Sequence, residues 1–298
     1  MHKVYAVILV GGKGKRLRPL SSSARPKAFL SVTKDRKTMF TRTVDRIKKM
    51  IPASDIVIVA NKLHSLLVKI DFKQLEERNL VLEPISRNTA PAIALAAFTL
   101  EKMDHDAIMV VLPADQYIKD EIDEGRYLDS IKRGLDFIET NDNAILVLGL
   151  RPTFPSTQFG YIKTRDKRQE TRDKNIYKVE RFVEKPGLAT ARKYVESKKY
   201  LWNTGTFIFK ADVILRTIKR FAPKIYNGLK GHGNLSTSYK RLPDISIDYA
   251  VMEKAGNIFC VKGEYRWQDM GSFDSLKIIL RGESRRFVES GDKILKIL

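Results

Sequence analysis

Acidic side chains are scarce in this 298-residue sequence: 35 Asp and Glu stand against 55 Lys and Arg, leaving a formal net charge of +20. Cysteine is scarcer still. Cys260 stands alone, which excludes an internal disulfide framework and a thiolate metal cluster, so a reducing cytoplasm is the expected compartment. No apolar run approaches the roughly 20 residues that cross a membrane. The N-terminal apolar run is too short for a signal peptide and enters a glycine-rich loop rather than a cleavage site. Internal repeats, low-complexity linkers and zinc-finger, RRM or KH patterns are all lacking. The cations are scattered along the chain instead of gathered into an arm or stripe. Specific nucleic-acid binding is therefore the weakest reading of the +20. A solubilising surface, with some charge serving anionic substrates, is the stronger one.

What is present concentrates first in Val4–Leu30. The run VYAVILV is apolar and mostly β-branched, and it predicts a buried strand. It breaks at Gly11, Gly12 and Gly14, where bare backbone N–H groups and access to positive φ let a chain curl around an anion. Lys13, Lys15, Arg16 and Arg18 add positive charge, and Lys27 follows Pro26. Without an anion these cations would repel one another. The Walker A pattern is absent, and the dinucleotide fingerprint fails because Leu17 stands where its third glycine belongs. What remains is GGxGxRLxP followed by PKxFL. That string resembles the signature of the sugar-nucleotide pyrophosphorylases, also called sugar-1-phosphate nucleotidyltransferases.

Downstream, strands and helices alternate. Strands are expected at Asp55–Ala60, Leu80–Glu83, Ala107–Leu112 and Ala144–Leu150. Helices are expected at Thr38–Ile51, Leu63–Ile70, Asn88–Met103 and Tyr127–Glu139. This alternation predicts a parallel sheet with helices on both faces. After Leu150, strands are expected at Phe159–Lys163, Tyr177–Glu184, Trp202–Phe209 and Ile258–Val261. Helices are expected at Leu188–Ser197, Ala211–Phe221, Ile247–Lys254 (capped by Ser246) and Ser272–Leu280. Thr164–Asn175 reads as an exposed connection and Gly228–Asp244 as a mobile loop.

Further motifs extend the resemblance. Asp115 ends a buried strand in Leu112-Pro113-Ala114-Asp115, where open parallel sheets bind ligands. Alone it is as well read as a turn cap as a Mg²⁺ ligand. The resemblance favours the metal, although Gln116 stands where the family usually has histidine. Trp267–Phe273 resembles W-x-D-x-G-[ST], whose aspartate, here Asp269, is the family's second metal ligand; Asp269 and Ser272 also read as helix caps. Phe159-Gly160-Tyr161, Val183-Glu184-Lys185-Pro186 and Trp202-Asn203-Thr204-Gly205 resemble the sugar-side motifs. Singly, EKP reads as a solvated turn and Trp202 as core. Glu83–Ala92 resembles the E-P-x-x-[RK]-N-T-A-P-A segment of the branch that transfers guanylate to mannose 1-phosphate. Asn88 or Thr89 would cap the helix it enters, with Pro91 in its first turn.

The resemblance implies a Rossmann-like (GT-A-like) α/β nucleotidyltransferase fold with a mixed, mostly parallel sheet. It implies a single domain over 1–298, with a nucleotide-binding half to about 150, a sugar-phosphate half over 151–280, and a tail without motif at 281–298. It implies catalytic roles for Arg16, Lys27, Asp115 and Asp269, the two aspartates holding Mg²⁺. Gly11, Gly12, Gly14, Lys15, Arg16, Glu83, Asn88, Thr89 and Asp115 would bind nucleotide. Gly160, Tyr161, Glu184, Lys185, Asn203 and Gly205 would bind sugar phosphate. The implied substrates are GTP and mannose 1-phosphate, with no membrane or specific nucleic-acid partner, and a homodimer is left open. Rival readings are another nucleotide and sugar pair, or a regulatory homologue that binds sugar nucleotide without turnover.

Overall fold

A computed structural model of the chain describes residues 2–12, 14–165, 173, 175–231, 234–285, 287–290 and 293–297. The first half builds β1 (Val4–Val10), α1 (Met39–Ile47), β2 (Ile56–Asn61), α2 (Ser65–Asp71), β3 (Leu80–Glu83), α3 (Thr89–Met103), β4 (Ile108–Pro113), β5 (Gln116–Ile118), α4 (Glu121–Thr140) and β6 (Ile145–Leu150). The second builds β7 (Tyr161–Thr164), β8 (Ile176–Val183), α5 (Leu188–Ser197), β9 (Tyr200–Lys210), α6 (Ala211–Phe221), α7 (Pro223–Lys230) and α8 (Leu235–Lys240). It closes with β10 (Ile258–Gly263), β11 (Trp267–Asp269), α9 (Phe273–Gly282), β12 (Phe287–Ser290) and β13 (Lys293–Lys296).

Nine strands form one sheet in the order β3-β2-β1-β4-β9-β6-β10-β8-β7. Strands β1 to β4 are parallel to one another, as the alternation predicts. β8 and β9 run against the other seven, and β9 slots between β4 and β6. The second half thus joins the same sheet. Both faces are covered, which explains the unalternating apolar runs. Tyr5 and Val7 of β1 pack with α3 and α6, while Ala6, Ile8 and Val10 pack with α1 and α4. Thr38 caps α1 by accepting from the Thr41 N–H, a bond typical of β-hydroxyl residues at helix starts.

Several expectations were not met. Gly228–Asp244 is not a loop: α7 runs to Lys230 and α8 follows, with Tyr239 fully buried; residues 232 and 233 lie outside the described residues. Residues 166–172 and 174 of the expected Thr164–Asn175 connection lie outside them too. α4 starts at Glu121, earlier than its apolar pattern, because Asp120 accepts from the Asp123 N–H and three acidic residues occupy the first turn. The helix expected at Ile247–Lys254 is a π-helical turn over Asp248–Met252, with the Ser246 hydroxyl accepting from the Tyr249 N–H at 3.4 Å.

The tail also has structure. β12 and β13 pair as a hairpin, and Glu289 exchanges two backbone hydrogen bonds with Ser31, at 2.9 and 3.0 Å. Val288 is buried with Leu17, Leu20 and Leu30, so the hairpin backs the glycine-rich loop. No helix among the described residues is long and apolar enough to cross a membrane.

Candidate active site

The site starts where β1 ends. Gly12 and Gly14 hold φ of 103° and 53°, values that L side chains adopt only under strain. A Cβ on Gly14 would lie 2.7 Å from the Ser21 hydroxyl, which itself donates to the Gly14 carbonyl at 2.7 Å. Leu17, in place of a third glycine, is fully buried and anchors the loop to the core. Lys13 and the side chain of Lys15 lie outside the described residues.

Lys27 opens a short turn after Pro26 and is pinned by the burial of Ala28 and Phe29. Its ammonium lies 2.5 Å from Asp115 Oδ2 and 3.8 Å from Asp269 Oδ1. The two aspartates meet because β5 and β11 pair, placing Asp269 opposite Gln116, the residue after Asp115. Arg16 stands nearby, since a Cβ on Gly271 would lie 3.3 Å from its guanidinium and would collide with Asp269 Oδ2. Burial alone would push the Lys27 amine down, but Asp115 and Asp269 together hold it above its ordinary range. Burial raises the Asp269 carboxyl, Lys27 draws it back down, and Asp115 adds to the rise. Gln116 is buried and its amide donates to the Thr204 carbonyl, tying β5 to β9.

These groups fit a hard divalent cation. The donors are oxygens, two carboxylates already enclose a positive charge, and no cluster of three His, Cys, Asp or Glu ligands occurs among the described residues. Mg²⁺ is commonly held by one or two carboxylates together with substrate phosphates.

A cavity of about 530 Å³ opens beside this cluster. Gly11, Gly12, Lys27, Glu83, Asn88, Thr89, Asp115 and Gly205 are among the residues that line it. Asn88 sits at φ 67°, and its side chain accepts from the Thr89 N–H, so Asn88 is the α3 cap. The Thr89 hydroxyl instead accepts from the Ile247 N–H at 2.8 Å. Glu83 is buried and takes a 2.6 Å hydrogen bond from the Tyr239 hydroxyl. Desolvation lifts its carboxyl to about 7 even though Tyr239 and the Arg87 backbone N–H favour the ionised form.

The sugar-side motifs converge next to this cavity. A Cβ on Gly160 would crowd Glu184 Oε2, so glycine there admits the carboxylate. Lys185 pairs with Glu184, and the Glu184 N–H donates to Glu253 at 2.9 Å. Asn203 accepts from the Gly205 N–H at 2.8 Å and donates to Asp248 at 2.9 Å. Asp248 lines the cavity, and its carboxyl rises to about 7 through burial and the neighbouring Glu184 charge. Tyr161 is not among the residues lining the cavity. It is fully buried beside Phe159 and Trp202 and donates to the Ser156 carbonyl at 3.0 Å, and its strand is paired at Tyr161 with Val183 on one side and Trp202 on the other. Trp202 is core, as its bland reading holds. Gly14, Arg16, Gly160, Glu184, Lys185, Asn203 and Asp269 are not among the cavity's lining residues, although their contacts border it.

Three residues escaped the sequence reading. Gly271 carried a signal as the glycine two residues after Asp269 in the W-x-D-x-G-[ST] pattern. Asp248 and Tyr239 carried none, because the segments holding them read as a plain helix and a loop.

A family model described as "Nucleotidyl transferase" matches residues 5–282. A mannose-1-phosphate guanylyltransferase from Salmonella muenchen is 38% identical over 307 residues, covering 98% of this chain and 63% of the relative. Another from Salmonella typhimurium is 36% identical, covering 96% of this chain and 60% of the relative. The chain thus spans somewhat under two thirds of the length of these curated relatives. Among solved structures, one described as a mannose-1-phosphate geranyltransferase from Thermus thermophilus superposes with a TM-score of 0.82 at 33% identity, covering 93% of this chain and 79% of that one.

Proposed function

This chain belongs to the nucleotidyl transferase family, and from that premise we propose that it transfers GMP from GTP to mannose 1-phosphate, giving GDP-mannose and pyrophosphate. The names of its relatives support the substrates. The observation that carries the chemistry is Lys27 held between Asp115 and Asp269 beside a cavity walled by the glycine loop.

In this reading a phosphate oxygen of the sugar attacks the α-phosphorus in line, the bond to the bridging oxygen breaks, and pyrophosphate departs. The attacking phosphate is already anionic, so no side chain need remove a proton. Lys27 and Arg16 supply fixed positive charge where charge develops, and the N–H groups of Gly11 and Gly12 orient the phosphates. Gly14 keeps the loop in shape, and Lys15 adds to its charge. Asp115 and Asp269 would hold Mg²⁺, which when bound neutralises phosphate charge. Glu83, Asn88 and Thr89 face the base and ribose. Glu184 and Asn203 take the sugar hydroxyls, with backbone at Gly160 and Gly205, and Lys185 takes the sugar phosphate. A cytoplasmic setting accords with the lone, buried Cys260.

The test is pyrophosphate release with each of four nucleoside triphosphates against several sugar 1-phosphates. GTP with mannose 1-phosphate should give the highest kcat/KM, with ATP about 10²-fold lower, since a site built for guanine leaves buried groups unpaired when adenine enters. Parity of ATP or dTTP with GTP would overturn the guanylyl assignment while leaving the family standing.

A further inference from the structure

Glu83 is reached from an unexpected direction. Tyr239 projects from α8, in a stretch whose composition reads as loop, and is fully buried with its hydroxyl 2.6 Å from Glu83 Oε1. The contact is not isolated. Arg87 donates to the Lys240 carbonyl, the Ala90 N–H donates to the Ile245 carbonyl at 3.2 Å, and the Ile247 N–H donates to the Thr89 hydroxyl at 2.8 Å. Residues 239–247 are therefore fastened along the 83–90 segment, and both segments contribute to the wall of the same cavity.

We infer that Tyr239 is a positioning residue for nucleotide choice: its hydroxyl holds Glu83 as a hydrogen-bond acceptor facing the cavity, which selects a purine that donates from N1. The inference rests on the guanylyltransferase reading and deepens it. An ionised carboxylate only accepts, with about four acceptor sites for its two oxygens. Tyr239 fills one, the Arg87 backbone N–H another, and the remainder is available to guanine N1–H and N2–H₂. Adenine offers a bare N1 acceptor, which an ionised Glu83 repels. A protonated Glu83 would instead donate to that N1 and accept adenine.

The choice between these states is balanced. Burial favours the neutral acid, while the Tyr239 hydroxyl and the Arg87 N–H favour the anion, leaving the carboxyl near 7. The Arg87 guanidinium acts on the Tyr239 hydroxyl, and the charged groups lining the cavity besides Glu83 are Lys27, Asp115, Asp244 and Asp248. Removing the tyrosine hydroxyl deletes a hydrogen bond that is stronger to the carboxylate than to the neutral acid, so it raises the Glu83 pKa. Phenylalanine keeps the buried ring.

The experiment measures kcat/KM for GTP, ITP and ATP with saturating mannose 1-phosphate between pH 6 and 8.5, in the wild type, Tyr239→Phe and Glu83→Gln. ITP retains N1–H and lacks the N2 amine. The wild-type GTP to ATP ratio should fall as pH drops through about 7. In Tyr239→Phe it should be lower by about tenfold at pH 7 and recover at pH 8.5, where Glu83 ionises again. In Glu83→Gln it should be low and independent of pH. A Tyr239→Phe enzyme that loses GTP and ATP activity in equal proportion, or whose ratio matches wild type at every pH, overturns the inference. Should that variant fail to fold, a wild-type ratio flat across the pH range overturns it equally. A wild type with no preference for GTP removes the guanylyl reading and the inference with it.

Discussion

Asp115 and Asp269 enclose Lys27, and next to them Glu184 and Asp248 meet Lys185. Each pair joins two carboxylates to one lysine, and each is made possible by a glycine: Gly271 beside Asp269, Gly160 beside Glu184. The difference lies in compensation. The Lys27 side chain is 15% exposed and touches both acids, with Arg16 adding a second cation. The Lys185 side chain is 47% exposed and pairs directly with Glu184 alone. Asp248 is left undercompensated and its carboxyl rises to about 7. The first pair is a charge cluster that a metal and phosphates can enter. The second is a mixed donor and acceptor surface, suited to neutral sugar hydroxyls. Lys185 acts on Asp269 as well as Asp248, so it stands between the two.

The comparison breaks most visibly at the first pair. Asp115→Asn and Asp269→Asn should each lower kcat at least about 100-fold if, as proposed, these carboxylates hold Mg²⁺. Glu184→Gln should act mainly on the KM for mannose 1-phosphate. Steady-state kinetics across a Mg²⁺ titration, with a melting curve to show the fold intact, makes the check. Near-normal turnover of Asp269→Asn at limiting Mg²⁺ would erase the distinction between the pairs.

The glycines offer a sharper cut at smaller effect. An alanine Cβ at Gly271 meets chiefly the end of the Asp269 carboxylate, which can swing aside, so stability should change little there, whereas at Gly160 it also meets Asn203 Cβ and the Phe182 ring at 3.3 Å and some stability goes with the geometry. Gly271→Ala should depress kcat by about 10- to 100-fold, whereas Gly160→Ala should raise the KM for sugar phosphate by about tenfold. Identical kinetic signatures from the two variants would mean the pairs do not divide the labour.

The smallest effect is on stability. An unfolded aspartate loses its proton near pH 4, and Asp248 keeps its proton in the folded protein up to about 7. The folded state binds the extra proton between those values. The stability this confers is complete below about pH 4 and is lost as pH rises through about 7. Asp248→Asn stays neutral throughout, so its melting temperature relative to wild type should climb from pH 4 to 7 and then level off. A constant difference over that range would show that Asp248 is ionised in the native protein.

Some elements could be read directly from residues. Leu80–Glu83, Leu188–Ser197 and Ala211–Phe221 have the bounds their patterns predict, because burial face, propensity and breakers agree locally. β5 and β11 were missed because three-residue strands carry no periodicity, and they exist by pairing with each other. α8 was missed because its composition opposes helix, and the Asn234 cap with the buried Tyr239 contact outweighs propensity. The burial of the Tyr161 side chain was not legible, because an aromatic beside a glycine looks the same in sequence whether it faces a cavity or the core.

The sequence by itself determined the strand and glycine loop, the identities of the charged groups and the strand–helix order. These depend on backbone sterics and apolar patterning within a few residues. Only the tertiary structure decided that β9 inserts antiparallel between β4 and β6, that β5 and β11 bring Asp115 and Asp269 around one ammonium, and that Asp248 and Tyr239 reach the cavity at all. Those contacts join residues far apart in the chain, and sheet register and packing select them, not any local preference.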